Sequence, residues 1–129
     1  MKAKYTTLKE HPLRKGQYCV HNIIFASIPP YIGTLEQCKK AQLSAEKNAA
    51  KLVNQNRNEV VALLGEDFVS KVENLPINEA SFIRRPHYKE YIKTVNVSDG
   101  GEIVGELNIS YIKRGEEYIP FRYVFNQAD

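Results

Sequence analysis

The C-terminal third of the chain carries the pattern that most constrains its fold. Three runs of strand length, rich in β-branched and aromatic residues, follow one another after residue 87. The turn signals between them are Asp99-Gly-Gly101 and a segment around Gly115, and the runs are Tyr88 to Val97, Glu102 to Lys113 and Glu117 to Asn126. Short connections of this kind join antiparallel neighbours. The sequence therefore predicts a three-stranded antiparallel β-meander.

Alternation within the second and third runs assigns one face of the meander to the core. Apolar residues stand at odd positions, namely Ile103, Leu107, Ile109, Tyr111, Ile119, Phe121, Tyr123 and Phe125. Because side chains on a strand alternate between two faces, these residues should line one side together. The apolar residues of the two runs lie on the same face only if the numbers of directly opposite residues have an even sum. We therefore expect an odd-length loop, Arg114-Gly-Glu116, with Lys113 opposite Glu117.

The opposite face of the meander is less polar than a solvent-facing sheet usually is. Val104, Ile112, Tyr118 and Val124 stand there among charged and polar residues. Apolar patches of this kind are uncommon on monomers and often mark interfaces. These four residues are our candidate interface, and the chain is expected to form a homodimer. The alternative is that the first strand or the N-terminal segment covers this face within one chain.

An earlier strand and two helices are predicted before the meander. Residues 17–28 are rich in Tyr, Val, Ile and Phe and end at Pro29-Pro30, which cannot continue a strand. This strand is apolar on both sides, so a central or doubly covered position is expected.

A long helix is expected to begin after Thr34, because Thr34-Leu-Glu-Gln37 has the form of a capping box. A stripe of helical spacing runs to about Leu64, and Gly65 suits the left-handed residue after it. The polar run at residues 54–58 contains weak helix formers, where the helix could kink or break. A shorter helix is expected over residues 66–74.

The predicted order is β-α-α-β-β-β, an α+β fold with its sheet packed on the long helix. With 129 residues the chain fits one domain, residues 1–129. Residues 1–16 are polar and basic without a sustained period, so we expect a loosely attached arm.

A cytoplasmic location is expected, because no apolar segment is long enough to span a bilayer and the first residues lack the apolar core of a signal peptide. The two cysteines, Cys19 and Cys38, are then expected to be buried thiols. Cys19-Val-His21 lacks the paired spacing of zinc ligands, so no metal site and no cofactor are expected.

The segment Phe82-Ile-Arg-Arg-Pro-His-Tyr-Lys89 is the strongest candidate for binding, since it combines cations with aromatic rings. Arginine binds carboxylate or phosphate with two parallel hydrogen bonds, and tyrosine stacks on bases or packs in protein interfaces. The candidate binding residues are Arg84, Arg85, His87, Tyr88, Lys89, Lys113, Arg114 and Arg122. A protein contact, a nucleic-acid contact and a solvated loop all stay open, because the net charge is only +3.

No catalytic residue is assigned, since no nucleophile lies beside a base in the sequence. The leading hypothesis is a non-catalytic binding protein of the adaptor or inhibitor type, acting on a protein partner and not on a membrane. The first alternative is a nucleic-acid-binding accessory protein using Arg84, Arg85 and the basic arm. The second is a small-ligand binder or enzyme with a cavity between sheet and helix, lined by Tyr111, Tyr123 and His21.

Overall fold

The computed structural model describes residues 2–25 and 27–128. These residues form seven strands and two helices, which confirms the α+β class, but the order is β-β-β-α-α-β-β-β-β with two sheets, so the predicted β-α-α-β-β-β order with one sheet was wrong. The chain divides into two compact units, of which the first ends at Leu52 and the second begins at Val53. The boundary lies inside the long helix, and the single domain expected from chain length stays a prediction.

The first unit contains a three-stranded antiparallel sheet and the first part of the long helix. The strands are β1 (Thr6–Glu10), β2 (Tyr18–Asn22) and β3 (Tyr31–Gly33), in the order β1-β2-β3. The central position expected for the strand at residues 17–28 is confirmed, but that strand ends at Asn22. The hydrogen bond from the Ile23 N–H to the Tyr5 carbonyl is in the same register and closes the ladder with β1. Ala26, within the predicted strand, lies outside the described residues.

Strand β1 lies inside residues 1–16, where the sequence predicted no regular structure. One carboxylate on the long helix fixes its start: the N–H groups of Lys4 and Tyr5 and the hydroxyl of Thr6 donate to Glu46, at 2.7–2.9 Å. Gln42 donates to the same Thr6 hydroxyl. The Thr6 side chain is fully buried. This segment is therefore held by hydrogen bonds that its basic composition did not indicate.

The long helix, α1 (Leu35–Leu64), begins and ends where the sequence predicted. The capping box is formed: the Gln37 N–H donates to the Thr34 hydroxyl, and the Thr34 N–H donates to the Gln37 side chain. The polar run at residues 54–58 does not interrupt the helix. Two of its side chains instead bind other elements of the second unit, since Asn56 contacts β7 and Arg57 pairs with α2.

The second unit holds the last part of α1, the short helix α2 (Glu66–Glu73) and a four-stranded antiparallel sheet. Its strands are β4 (Ile83–Arg84), β5 (Lys89–Asp99), β6 (Glu102–Arg114) and β7 (Glu117–Gln127). They lie in sequence order. The predicted meander is confirmed as β5-β6-β7, and β4 is an additional short edge strand that the sequence pattern did not predict.

One face of this sheet, called the inner face, packs on α2. The buried Lys93 donates to the Val72 and Glu73 carbonyls at the end of α2, and the Tyr123 hydroxyl donates to the Glu73 carboxylate. Burial opposes ionisation of Glu73, but hydrogen bonds from Arg57 and Tyr123 hold its pKa below the usual value. The predicted packing of the sheet on a helix is therefore confirmed, but these contacts are made with the short helix α2 and not with the long helix that was expected.

A β-bulge in β6 changes the face on which Ile103 lies. Val97 pairs with Gly105, but Ser98 pairs with Ile103, so Val104 is an extra residue. A bulge of one residue reverses the alternation beyond it. Ile103 therefore lies on the opposite side from Leu107 and is 59% exposed, so its assignment to the core was wrong.

A second bulge, in β7, explains the observed hairpin between β6 and β7. The turn is the two-residue Gly115-Glu116, with Arg114 opposite Glu117, so the expected odd-length loop was wrong. Ser110 pairs with Arg122 and Tyr111 with Pro120, which leaves Phe121 as an extra residue. Because of this extra residue, opposite residues from Gly105 to Ser110 have numbers with an even sum, as the apolar pattern required. Leu107 therefore pairs with Phe125.

We predict that Leu107→Ala lowers the free energy of unfolding by about 2–5 kcal/mol, because its buried side chain would leave a cavity. Ile103→Ala, the matched control from the same strand, should change it by less than about 0.5 kcal/mol. Urea denaturation of both variants measures this difference. Equal losses would contradict the bulge at Val104.

No helix in the described part of the chain is long and apolar enough to cross a membrane. Cys19 and Cys38 are both buried free thiols, as the sequence predicted. The Cys38 thiol lies 3.3 Å from the Tyr18 carbonyl oxygen.

Candidate functional site

The other face of the four-stranded sheet, called the outer face, carries a concavity of about 540 Å³. Its volume is in the range of ligand and side-chain binding sites. Strands β5, β6 and β7 form its floor, and residues just before and in β4 form one rim. The lining residues are Ser81, Phe82, Ile83, Glu90, Ile92, Thr94, Asn108, Ser110, Arg122, Val124 and Asn126.

The strand register builds this floor in rows. Ile92, Ser110 and Arg122 form one row across the three strands, and Thr94, Asn108 and Val124 form the next. Directly opposite side chains share a face, so each row presents its three side chains together. The floor is therefore a mixture of aliphatic, neutral polar and cationic groups.

A buried carboxylate organises the charged end of the concavity. Glu90 is only 3% exposed at its side chain, and one of its oxygens accepts from the Ser110 hydroxyl at 2.6 Å and from Arg122 at 3.1 Å. The other oxygen accepts from Arg85 Nε at 2.8 Å. The two arginine side chains stay 42% and 45% exposed. We call Arg85, Glu90, Ser110 and Arg122 the Glu90 cluster.

The electrostatics of the Glu90 cluster favour an ionised glutamate. Burial opposes its ionisation, but hydrogen bonds from Ser110 and Arg85 and the charges of Arg122 and Arg85 hold its pKa below the usual value. Two cations then face one anion, which leaves a net positive charge. Since Glu90 restricts both guanidinium groups, their remaining N–H donors are held in place at the surface.

Of the eight candidate binding residues, Arg85 and Arg122 meet at one carboxylate, that of Glu90. Arg84 and Lys89 instead lie over the Phe82 ring, at 5.8 and 4.7 Å from its centroid. Lys113 lies over Tyr118, and Arg114 is opposite Glu117 in the ladder. His87 is exposed in the turn before β5, and the Tyr88 ring meets Phe121 edge-on. The cations therefore do not form one continuous surface.

The four candidate interface residues do not form one exposed face, so that assignment is corrected. Ile112 is fully buried, opposite Ile119. Val104 is half-buried at the bulge, and Tyr118 is half-buried against the Tyr91 ring. Val124 alone of the four is exposed. The two bulges are the physical reason. Each shifts the register by one residue, so Val104 and Tyr118 do not share a face with Ile112 and Val124.

Sequence reasoning missed Glu90 and Ser110. Glu90 reads as one more charge in a polar segment, and Ser110 interrupts an apolar run without any motif. A signal was present in their parity: Glu90, Ser110 and Arg122 all occupy even positions, which share a face when adjacent strands pair with even sums. That signal becomes usable only when the register is known.

The cavity between sheet and helix stays a prediction, because its three proposed lining residues belong to different units. The Tyr111 and Tyr123 hydroxyls contact Glu73, and His21 belongs to β2 of the first unit. Burial raises the pKa of both tyrosines, and the nearby Glu73 raises it further. Within residues 2–25 and 27–128, no three His, Cys, Asp or Glu side chains are grouped to hold a metal ion.

Comparison with known proteins finds no matching family model, no matching curated protein and no matching solved structure.

We predict that Glu90→Gln lowers the free energy of unfolding by about 1–3 kcal/mol at neutral pH, because charge-assisted hydrogen bonds are lost. A depressed folded-state pKa contributes stability above the unfolded pKa and loses it as the pH falls through the folded value. The difference between the two proteins should therefore be largest at neutral pH and shrink towards about pH 3.

Urea denaturation across this pH range measures the effect, and Glu102→Gln, at the exposed first residue of β6, is the matched control. A constant difference at every pH would show that the Glu90 charge does not stabilise the fold.

Proposed function

We propose that the chain is a non-catalytic binding protein, of the adaptor or inhibitor type, that holds a protein partner on the outer face of its four-stranded sheet. In this proposal an acidic side chain of the partner binds to Arg122 and Arg85. The observation that carries it is the Glu90 cluster, in which one buried carboxylate fixes two half-exposed guanidinium groups at the edge of a concavity.

Aliphatic side chains beside the cluster support a protein partner. Ile83, Ile92 and Val124 line the concavity and are each about 40% exposed. Protein interfaces combine such apolar contacts with arginine, which is enriched among the residues that contribute most to binding. An acidic residue flanked by aliphatic residues has the matching chemistry, since its carboxylate accepts a bidentate pair of hydrogen bonds while its neighbours lose contact with water.

A nucleic-acid partner is less well supported. Nucleic-acid surfaces need a row of cations along the phosphate backbone, with aromatic faces free for stacking. Here Arg84 and Lys89 already cover the Phe82 ring, and Lys113 covers Tyr118. This alternative stays a prediction with a distinct signature, a steep loss of affinity with added salt.

Selection of random displayed peptides against the folded protein tests the proposal. We expect enriched peptides to carry Asp or Glu beside aliphatic residues and to shift the amide resonances of Ile92, Asn108 and Arg122. Arg122→Gln should weaken binding of a selected peptide by about tenfold or more, because a charge-assisted pair is lost. Titration calorimetry measures the change.

The matched control is Arg84→Gln. It removes an exposed arginine that lies next to Arg85 in the sequence and whose guanidinium group lies over the Phe82 ring. Its effect on peptide affinity should be small. Equal losses in the two variants, or resonance shifts confined to other surfaces, would contradict the proposal. Tight binding of an oligonucleotide that weakens steeply with salt, together with no peptide binding, would favour the nucleic-acid alternative.

The homodimer and the cytoplasmic location stay predictions. The outer-face proposal requires neither of them, because all residues of the Glu90 cluster come from one chain.

A further inference from the structure

The β5 edge of the four-stranded sheet is largely unpaired. Strand β5 has eleven residues, of which β4 pairs with Lys89 and Glu90 only. Within the described residues, the nine from Tyr91 to Asp99 have no strand on that side. The open N–H and C=O groups of an edge strand form a template for another strand.

The opposite edge, formed by β7, is protected in two ways. Pro120 has no N–H to offer. Asn56 on α1 mimics a neighbouring strand at Tyr123: it accepts from the Tyr123 N–H at 2.7 Å and donates to the Tyr123 carbonyl at 2.9 Å. The β7 edge is therefore protected against pairing with a further strand.

The open part of β5 has less protection. It contains no proline, and its two charged side chains are Asp99 at its end and Lys93, which turns inward, where its ammonium group donates to the end of α2. Thr94, Asn96 and Ser98, on the outer side, are exposed and uncharged. Charged side chains and prolines are the usual means of preventing edge-to-edge pairing.

We propose that two copies of the chain pair antiparallel along their β5 edges, about a two-fold axis, to form one continuous sheet across both chains. The length of the open edge supports a second copy as the occupant. The open edge is bounded by β4 at one end and by the Gly100-Gly101 turn at the other. It therefore matches in length the open part of β5 in a second copy. An antiparallel pair of identical edges is self-complementary, as a two-fold interface requires.

The side chains permit this pairing in the middle of the open edge, around Val95. In that register Val95 lies opposite its own copy, and Thr94 lies opposite Asn96 of the second copy. Lys93 lies opposite Val97, so no two like charges meet across the interface. This interface replaces the one centred on Ile112, which is buried within each chain.

Sedimentation equilibrium of the full chain tests the proposal. The wild type should have twice the chain mass of 14.8 kDa at high micromolar concentration. Thr94→Lys combined with Asn96→Lys should give the monomer mass with an unchanged far-UV circular dichroism spectrum, because lysines would then lie opposite one another. Asn126→Lys, a matched change at an exposed position of β7, should leave the dimer intact.

A cysteine pair provides a second readout that does not depend on disrupting the edge. Thr94→Cys combined with Asn96→Cys should form a disulfide-linked dimer on mild oxidation, because these positions face each other across the proposed axis. A wild type that stays monomeric at high micromolar concentration would overturn the proposal. A dimer that survives the double lysine change and resists crosslinking would overturn it as well, because the interface would lie elsewhere.

Discussion

The two β-bulges of the four-stranded sheet determine which side chains reach the outer face. Each inserts one residue into a ladder whose alternation otherwise decides inside from outside. Val104 turns Ile103 outward, and Phe121 lets Arg122 stand opposite Ser110 while Leu107 still faces the core. Without the second bulge, the two-residue turn at Gly115-Glu116 would place the apolar residues of β6 and β7 on opposite faces.

In the proposed function, the outer face is a binding surface because a carboxylate is buried in it. A buried charge is costly unless hydrogen-bonded and paired, and Glu90 meets that requirement with one hydroxyl and two guanidinium groups. Glu90 orients the two arginine side chains, which stay half-exposed. In this proposal, the interaction that stabilises this end of the sheet also orients the two arginines for an anionic partner.

Most of the elements could be predicted from the sequence, because they depend on local patterns. The capping box at Thr34, the helical stripe to Leu64 and the three alternating runs all act over a few residues. The bulges were harder to predict, although Gly105 gave a signal, since a glycine within a strand often accompanies a bulge. A Cβ at Gly105 would collide with the Asn126 carbonyl and the Phe125 ring. The candidate site could be predicted only in part, because Arg85 and Arg122 were identified as cations, whereas Glu90 depends on long-range pairing.

The most direct test of the two bulged ladders is a measurement of cross-strand proton contacts by nuclear Overhauser spectroscopy on isotope-labelled protein. We expect contacts between Ser98 and Ile103 and between Arg114 and Glu117, which report the pairing beyond each bulge. Regular pairing continued from Val97–Gly105 and from Ser110–Arg122 would instead bring Ser98 close to Val104 and Arg114 close to Tyr118. Those contacts would return Ile103 to the core face and would contradict this construction of the outer face.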